Sequence, residues 1–221
     1  MRQVTIVIIL DFMCPWSYIG LRALHLAKQK FTDQIDFSLE FLPFEFDAPG
    51  TYPPNGTDWT AYCESFGAAK AKFLLEEKLP RAFAIGRDLG INFRMERRIV
   101  HTENVNNMLL LAQRSGVAEA FALQMMKKHF EELYNPNDEQ LLRNSLLSLG
   151  VPTADVEASL SESKVSKAER NERVTNQARQ RGAPPVPKFS VFCLGHDVCA
   201  AINDNGPTNV QYFTQIFESC L

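Results

Sequence analysis

Residues 5–26 read TIVIILDFMCPWSYIGLRALHL, and the fold follows from this stretch. Thr5-Ile6-Val7-Ile8-Ile9-Leu10 is a short, largely β-branched run without polar alternation, the pattern of a strand buried on both faces of a covered sheet. The run ends at Asp11, and Cys14-Pro15-Trp16-Ser17 opens a helical pattern in which Ile19, Ala23, Leu26 and Ala27 recur on one side. Pro15 suits the first helical position, where a missing N–H costs nothing and a fixed φ is already helical. Cys14 therefore falls at or beside the helix N-cap.

A sulfur at that point meets unpaired backbone N–H groups and the positive end of the helix dipole, both of which favour the nucleophilic thiolate. Cysteines so placed ionise between about 3.5 and about 7.5, against ~8.5 for a free thiol. The sequence predicts an ionised, reactive Cys14 rather than a buried cysteine acting as a small hydrophobe. Ser17 stands one turn further on, where its hydroxyl can donate a hydrogen bond that favours the thiolate again.

The segment ILDFMCPWSYIGLRAL, residues 9–24, resembles the opening of the DsbA-like thioredoxin-fold family, and most of all its FrnE-like branch. Members of that branch carry Cys-Pro-Trp-Cys followed by an aromatic, an aliphatic and Gly. Tyr18, Ile19 and Gly20 follow here, but Ser17 stands where the second cysteine would be. The resemblance implies an α/β thioredoxin fold, a mixed central sheet flanked by helices, with a large all-helical insertion.

The composition, 45% hydrophobic, 10% aromatic and 22% charged over 221 residues, is that of an ordinary globular protein able to bury a sizeable core. A net charge of −3 gives no basic surface excess, which argues against nucleic acid or anionic membrane as a partner. The apolar run before Asp11 is too short for a signal peptide, and no stretch approaches the ~20 apolar residues of a membrane helix. A cytoplasmic protein is expected. Five cysteines at positions 14, 63, 193, 199 and 220 are odd in number and irregular in spacing, so no disulfide framework is predicted.

Along the chain, Ile35 to Phe41 alternates apolar and polar residues and reads as a second strand, ended by Pro43. Residues 41–57, FLPFEFDAPGTYPPNGT, read as a loop leaving the sheet. Pro43-Phe44-Glu45-Phe46 matches a Pro-Phe-Glu-apolar loop of the FrnE-like branch, and Glu45 reads as a solvated carboxylate rather than part of a cleft. From Asp58 to about Leu160 the pattern is helical throughout. Asp58 caps a helix with Trp59, Tyr62 and Phe66 on one face, and a longer helix spans about Ala69 to Leu89, interrupted or kinked at Pro80. GRDLGINF resembles a helix-ending Gly-x-x-x-Gly-aliphatic-x-Phe of the family at Gly86, Gly90, Ile91 and Phe93. Further helices begin at Thr102 or Glu103, at Val117 and at Asp138, closed by Gly116, Asn135-Pro136 and Gly150. All these apolar stripes read as core. The division expected is a thioredoxin-like domain of residues 1–55 and 161–221 with a helical insertion domain at 56–160.

Residues 161–182 are strongly charged, with only Val165, Ala168, Val174 and Ala178 on an apolar side, and read as a helix with a solvated face. A turn then leads into a strand through Lys188 to Phe192, a hairpin to Ile202, and a last helix from Asn209 to Phe217. Thioredoxin-fold proteins place a cis-proline before the third strand, facing the cysteine. Val186-Pro187 matches it, with Pro185 in the lead-in. The resemblance thus implies that Val186 offers its N–H and C=O to an extended thiol substrate such as glutathione. Pro15, Trp16, Val186 and Pro187 are the substrate and glutathione contacts expected around Cys14. In glutathione-using relatives the corner after the last strand contacts the γ-glutamyl end, which points to Asn203 and Asp204; turn chemistry explains those two equally well.

Four histidines lack metal-ligand spacing, and no Cys-x-x-Cys, Gly-x-Gly-x-x-Gly or Walker motif occurs, so neither metal nor nucleotide is expected. Cys193 and Cys199 read as packed strand thiols rather than a redox pair. A Cys-Pro-Trp-Ser site has no internal thiol to resolve a mixed disulfide, so an external thiol must, and glutathione is the abundant one. Three readings remain. The first is a glutathione-dependent isomerase or transferase acting on a conjugated small molecule through Cys14 and Ser17. It resembles the 2-hydroxychromene-2-carboxylate isomerases and kappa-class glutathione transferases, which carry Ser at the place of Cys14; Cys14 then either attacks directly or hydrogen-bonds the glutathione sulfur. The second is a monothiol oxidoreductase that exchanges glutathione mixed disulfides. The third is a non-catalytic binding or chaperone role, and a homodimer is left open.

Overall fold

The computed structural model describes residues 1–46, 53, 55–184, 186–193 and 209–221, and the backbone of 196–201. Strand β1 (Arg2–Leu10) runs parallel to β2 (Ile35–Pro43), with helix α1 (Pro15–Lys28) as the crossover between them. Between Pro43 and the strands that complete the sheet lie a strand pair and most of the helices. The pair is β3 (Thr57–Asp58) and β4 (Arg98–Ile99). Between its strands come α2 (Trp59–Glu64), α3 (Ala68–Lys72) and α4 (Leu79–Asp88). After β4 follow α5 (Glu103–Arg114), α6 (Ala118–Phe130), α7 (Glu139–Ser148), α8 (Thr153–Ser161) and α9 (Lys164–Gln180). Strands β5 (Lys188–Cys193) and β6 (His196–Ala201) complete a four-stranded sheet of order β2-β1-β5-β6, and α10 (Val210–Ser219) ends the chain. This is the mixed sheet with a helical insertion that the resemblance implied.

The apolar run of β1 is covered on both sides. Val4, Ile6, Ile8 and Leu10 belong to the large core shared with α1, α5, α6 and α10, while Val7 and Ile9 join Leu42, Phe44, Val174 and Ala178 beneath α9. A pleated strand sends alternate side chains to opposite faces, so a strand between two helical layers needs apolar residues at every position.

Capping residues seat the helices as their chemistry dictates. The carboxylates of Asp58 and Asp138 accept from Ala61 N–H and Leu141 N–H, and the Asn209 side chain accepts from Tyr212 N–H. Gly90, at φ +76°, ends α4, and Ile91 N–H closes back onto Gly86 O at 2.8 Å. Gly86 itself lies against the Phe93 ring, where an added Cβ would meet ring carbon at 2.4 Å.

Four expectations are corrected. The region from Asp58 to Leu160 is not helical throughout, because Asp58 pairs with Arg98 and Thr57 with Ile99. The helix expected from Ala69 to Leu89 is present, but its irregularity lies before Pro80 rather than at it: α3, a π-helical turn over Phe73–Lys78 and α4 follow one another without a gap. Pro80 has no N–H to give the preceding turn, and the ladder widens just before it. The charged helix α9 is not simply solvated: Lys167 is 5% exposed with its ammonium donating to Leu160 O at 2.8 Å, whereas Val165 is 67% exposed. Finally, Cys193 is disulfide-bonded to Cys220, linking the end of β5 to the end of α10. Those two positions are 27 residues apart in sequence, and only the packing of α10 beside the sheet brings them together.

His129, on α6, is buried and donates from Nδ1 to Tyr134 O at 3.2 Å. Burial, with the Arg97 charge next in effect, pushes its pKa down to about 3. In the unfolded chain the ring binds its proton near ~6.5, so stability falls as the pH drops from about 6.5 towards about 3. Denaturant titrations of the parent and of His129→Gln at pH 7 and pH 5 should show the parent losing about 2 kcal/mol more than the variant on acidification. Equal losses would contradict a buried neutral ring.

Candidate active site

Beyond Leu10 the chain turns through Asp11 to Cys14, and Asp11 organises that turn. Its carboxylate accepts from Met13 N–H at 2.7 Å and Phe46 N–H at 3.1 Å, and its carbonyl accepts from Cys14 N–H at 3.1 Å. Asp11 N–H donates in turn to Ser17 Oγ at 3.2 Å. Cys14 is the N-cap of α1, in extended backbone conformation, with Pro15 opening the helix.

The other half of the site comes from the segment before β5. Antiparallel pairing of β1 with β5 ends at Ile9 opposite Lys188, which sets Val186 and Pro187 against the turn at Cys14. The Val186–Pro187 and Ala183–Pro184 peptides are both cis. Cys14 Sγ donates to Val186 O at 3.7 Å across 172 residues of sequence. The structure thus brings together Cys14, Pro15, Trp16, Ser17, Val186 and Pro187. Asn203 and Asp204 lie outside the described residues.

Above the sulfur is a cavity of about 490 Å³. Met13, Cys14 and Trp16 line it with Pro184 and Val186, and so do Trp59 and Tyr62 of α2 and Phe66 just after that helix. These three rings form a continuous strip, with Trp59 and Tyr62 centroids 5.5 Å apart and Tyr62 and Phe66 5.0 Å apart. Asp11, Glu45, Lys70 and Lys78 are the charged residues of the lining. The wall at Ile99 and Val100 depends on Gly56, at φ +72°, where a Cβ would lie 2.4 Å from Ile99 O. Val100 N–H points at Met13 Sδ, 3.5 Å away, tying this wall to the cysteine turn.

Sequence reasoning erred on three residues or groups here. Glu45 is not solvated: it faces the cleft, bonded to His101 Nδ1 at 2.7 Å and accepting from Thr102 N–H at 3.1 Å. The strip of Trp59, Tyr62 and Phe66 is half-buried cavity lining, not core. Helical periodicity reports that a face is covered, and a ligand cleft covers it as a core does. Cys14, expected to be ionised, has its thiol pushed up from the ordinary value, first by burial and then by the Asp11 carboxylate. Hydrogen bonds from the Ser17 backbone and hydroxyl act in the opposite sense, followed by one from the Trp16 backbone. The helix terminus was legible; the cover over it and the acid beside it were not.

Asp11, Lys70 and Arg97 were also missed. Arg97 precedes β4 and is 2% exposed, its guanidinium between the rings of Trp59 and Phe130, 4.2 and 4.6 Å from their centroids. Nothing in the sequence separates it from the neighbouring Arg94 and Arg98. Among the described residues no group of His, Cys, Asp and Glu is arranged to hold a metal ion, and no helix is long and apolar enough to cross a membrane.

Known proteins share the fold. No curated protein matches the sequence. A probable DsbA oxidoreductase from Streptomyces coelicolor superposes with a TM-score of 0.74 at 22% identity, over 98% of this chain and 89% of that one. A 2-hydroxychromene-2-carboxylate isomerase gives 0.68 at 16% identity, over 97% and 95% of the two chains. The cytosolic disulfide reductase DsbM from Pseudomonas aeruginosa, also solved with GSH, gives 0.64 at 16% identity, over 97% of each chain. The model of the DSBA-like thioredoxin domain matches residues 5–205, and the chain belongs to that family.

Proposed function

We propose that this protein is a glutathione-dependent enzyme that isomerises, or conjugates, a small apolar molecule bearing a conjugated carbonyl group, with Cys14 at the reacting position. One observation carries the reading: a single thiol, held protonated by burial and Asp11, faces a cavity walled by aromatic rings with no second thiol one turn on. Members of its family are thiol oxidoreductases or isomerases.

The residues fit glutathione. Val186 lines the cleft beside Cys14 with its carbonyl toward the sulfur, where an extended peptide can add as a strand. Lys70 and Lys78 lie in the same lining and suit a ligand carrying two carboxylates. Glutathione supplies a nucleophilic sulfur. A protonated Cys14 is a hydrogen-bond donor to such a sulfur, the role a serine hydroxyl fills, and Ser17 fixes the turn on which Cys14 sits. Addition of a sulfur nucleophile to the β-carbon of a conjugated ketone moves the double-bond pair onto oxygen. Loss of the same sulfur returns that pair after bond rotation, so isomerisation needs neither oxidant nor reductant; protonation without loss gives the conjugate. Trp59, Tyr62 and Phe66 provide stacking surface for a flat substrate and keep water from the sulfur. Such a protein belongs in the cytoplasm, where glutathione is abundant.

Disulfide exchange is the second reading, favoured by the half-buried sulfur lying against the Val186 carbonyl, where a peptide disulfide could dock. Turnover of conjugated enones with and without glutathione, beside reduction of a glutathione mixed disulfide, separates the two. Enone turnover that requires glutathione is expected, and glutaredoxin-like disulfide exchange without it would overturn the proposal.

Three further outcomes follow from the same geometry. Cys14→Ala should lower turnover by about two orders of magnitude, as for other positioned acid–base groups, while Cys14→Ser, which keeps a donor, should retain more. Ser17→Cys should confer insulin reduction that the parent lacks, because the second thiol can resolve a mixed disulfide. Asp11→Asn should speed alkylation of Cys14 at neutral pH, since removing the neighbouring negative charge makes the thiolate easier to form; an unchanged rate would remove Asp11 from the electrostatics of the site.

A further inference from the structure

Arg97 is a buried cation stacked between two aromatic rings. Neither of its terminal nitrogens has a hydrogen-bond partner among the described residues, and the indole N–H of Trp59, the ring stacked on it, has none either. Burying a charge unpaired is costly, and a structural role would have been served by an apolar residue between Trp59 and Phe130. Burial pulls the guanidinium pKa down to about 10, which still leaves it charged at neutral pH. The charge is therefore kept where its terminal nitrogens have no hydrogen-bond partner among the described residues and the Asp11 carboxylate acts on it only through space.

Its surroundings show what it is kept for. Trp59, on one face of the guanidinium, lines the same cavity as Cys14, and Val100, three residues on, contacts Met13 beside Cys14. The groups whose negative charge would favour the protonated guanidinium are, in order of effect, Cys14, Cys63, Tyr62 and Asp11. Cys63 and Tyr62 lie on α2, Asp11 and Cys14 at the end of β1, and His129, the titratable group facing from α6, is neutral. Of these, Cys14 alone is a thiol that opens onto the cavity.

We propose that Arg97 is a positioning residue for the sulfur site: a buried counter-charge, kept dry by Trp59 and Phe130, that stabilises negative charge on a sulfur there, whether on a thiol that Cys14 hydrogen-bonds or, with no other thiol bound, on Cys14 itself. It acts through space without touching the substrate, and it offsets part of what burial and Asp11 impose. The inference rests on Cys14 being the reacting position and not on which thiol or substrate joins it there.

The test uses the full chain without glutathione. The rate of Cys14 carbamidomethylation is followed against pH by peptide mass spectrometry, which separates Cys14 from Cys63, in the parent, Arg97→Met and Arg97→Lys. Arg97→Met should move the midpoint up by about one pH unit and slow alkylation at pH 8 by about tenfold, as expected for loss of one nearby opposite charge. Arg97→Lys, which keeps the charge, should stay close to the parent. Near-ultraviolet circular dichroism checks the fold, and Arg97→Gln carries the same expectation should Arg97→Met not fold. A midpoint unmoved in the neutral variants overturns the proposal, as does an equal shift in Arg97→Lys, which would trace the effect to packing. Because no glutathione is present, failure of the glutathione reading leaves these outcomes unaltered.

Discussion

The antiparallel pairing of β5 with β1 is the constraint on which the site depends. Val4 to Ile9 and Lys188 to Cys193 are held in one register, and the segment before Lys188 then has a single place to go, across the turn that carries Cys14. A slip of one residue would reverse every side chain of β5, taking Phe189 and Val191 out of the core. The register is thus fixed by burial, and the approach of Val186 to Cys14 is a by-product of that burial. The helical insertion adds the other wall, bringing α2 over the sulfur while α5 and α6 share the core of α1.

Around the sulfur, opposing effects are balanced. The helix start and the Ser17 hydrogen bonds favour a thiolate; burial and the Asp11 carboxylate disfavour it, and the second pair is the stronger. Asp11 cannot be dispensed with, because its carboxylate holds the turn through Met13 N–H and Phe46 N–H. The same group that shapes the site therefore opposes charge on its sulfur. The buried Arg97 behind the cavity wall is a physically sensible complement, since one buried positive charge acts against one buried negative charge at low effective dielectric.

A single thiol under an apolar, aromatic roof is suited to different chemistry from a dithiol on an open surface. Dithiol exchange needs a second sulfur within reach and room for a protein partner. Here the fully buried Ser17 hydroxyl is engaged with the Asp11 backbone, and the volume above Cys14 is that of a small molecule. The fold is shared by oxidoreductases and an isomerase, so the fold leaves the reaction open and the site has to decide it.

Much of this was determined by sequence alone. The two-faced apolar run of β1, Pro15 at the start of α1, the capping side chains of Asp58, Asp138 and Asn209, and the glycine that ends α4 are local signals, because periodicity and backbone stereochemistry act over a few residues. Tertiary structure decided what depends on distant neighbours. Glu45 turned toward His101, the Trp59 strip became a cleft wall, Cys193 met Cys220, Lys167 went under cover, and Arg97 was singled out from the arginines beside it. The ionisation of Cys14 belongs to the same group: a helix terminus can be read from a line of residues, but solvent exclusion and the charges nearby are properties of three-dimensional packing.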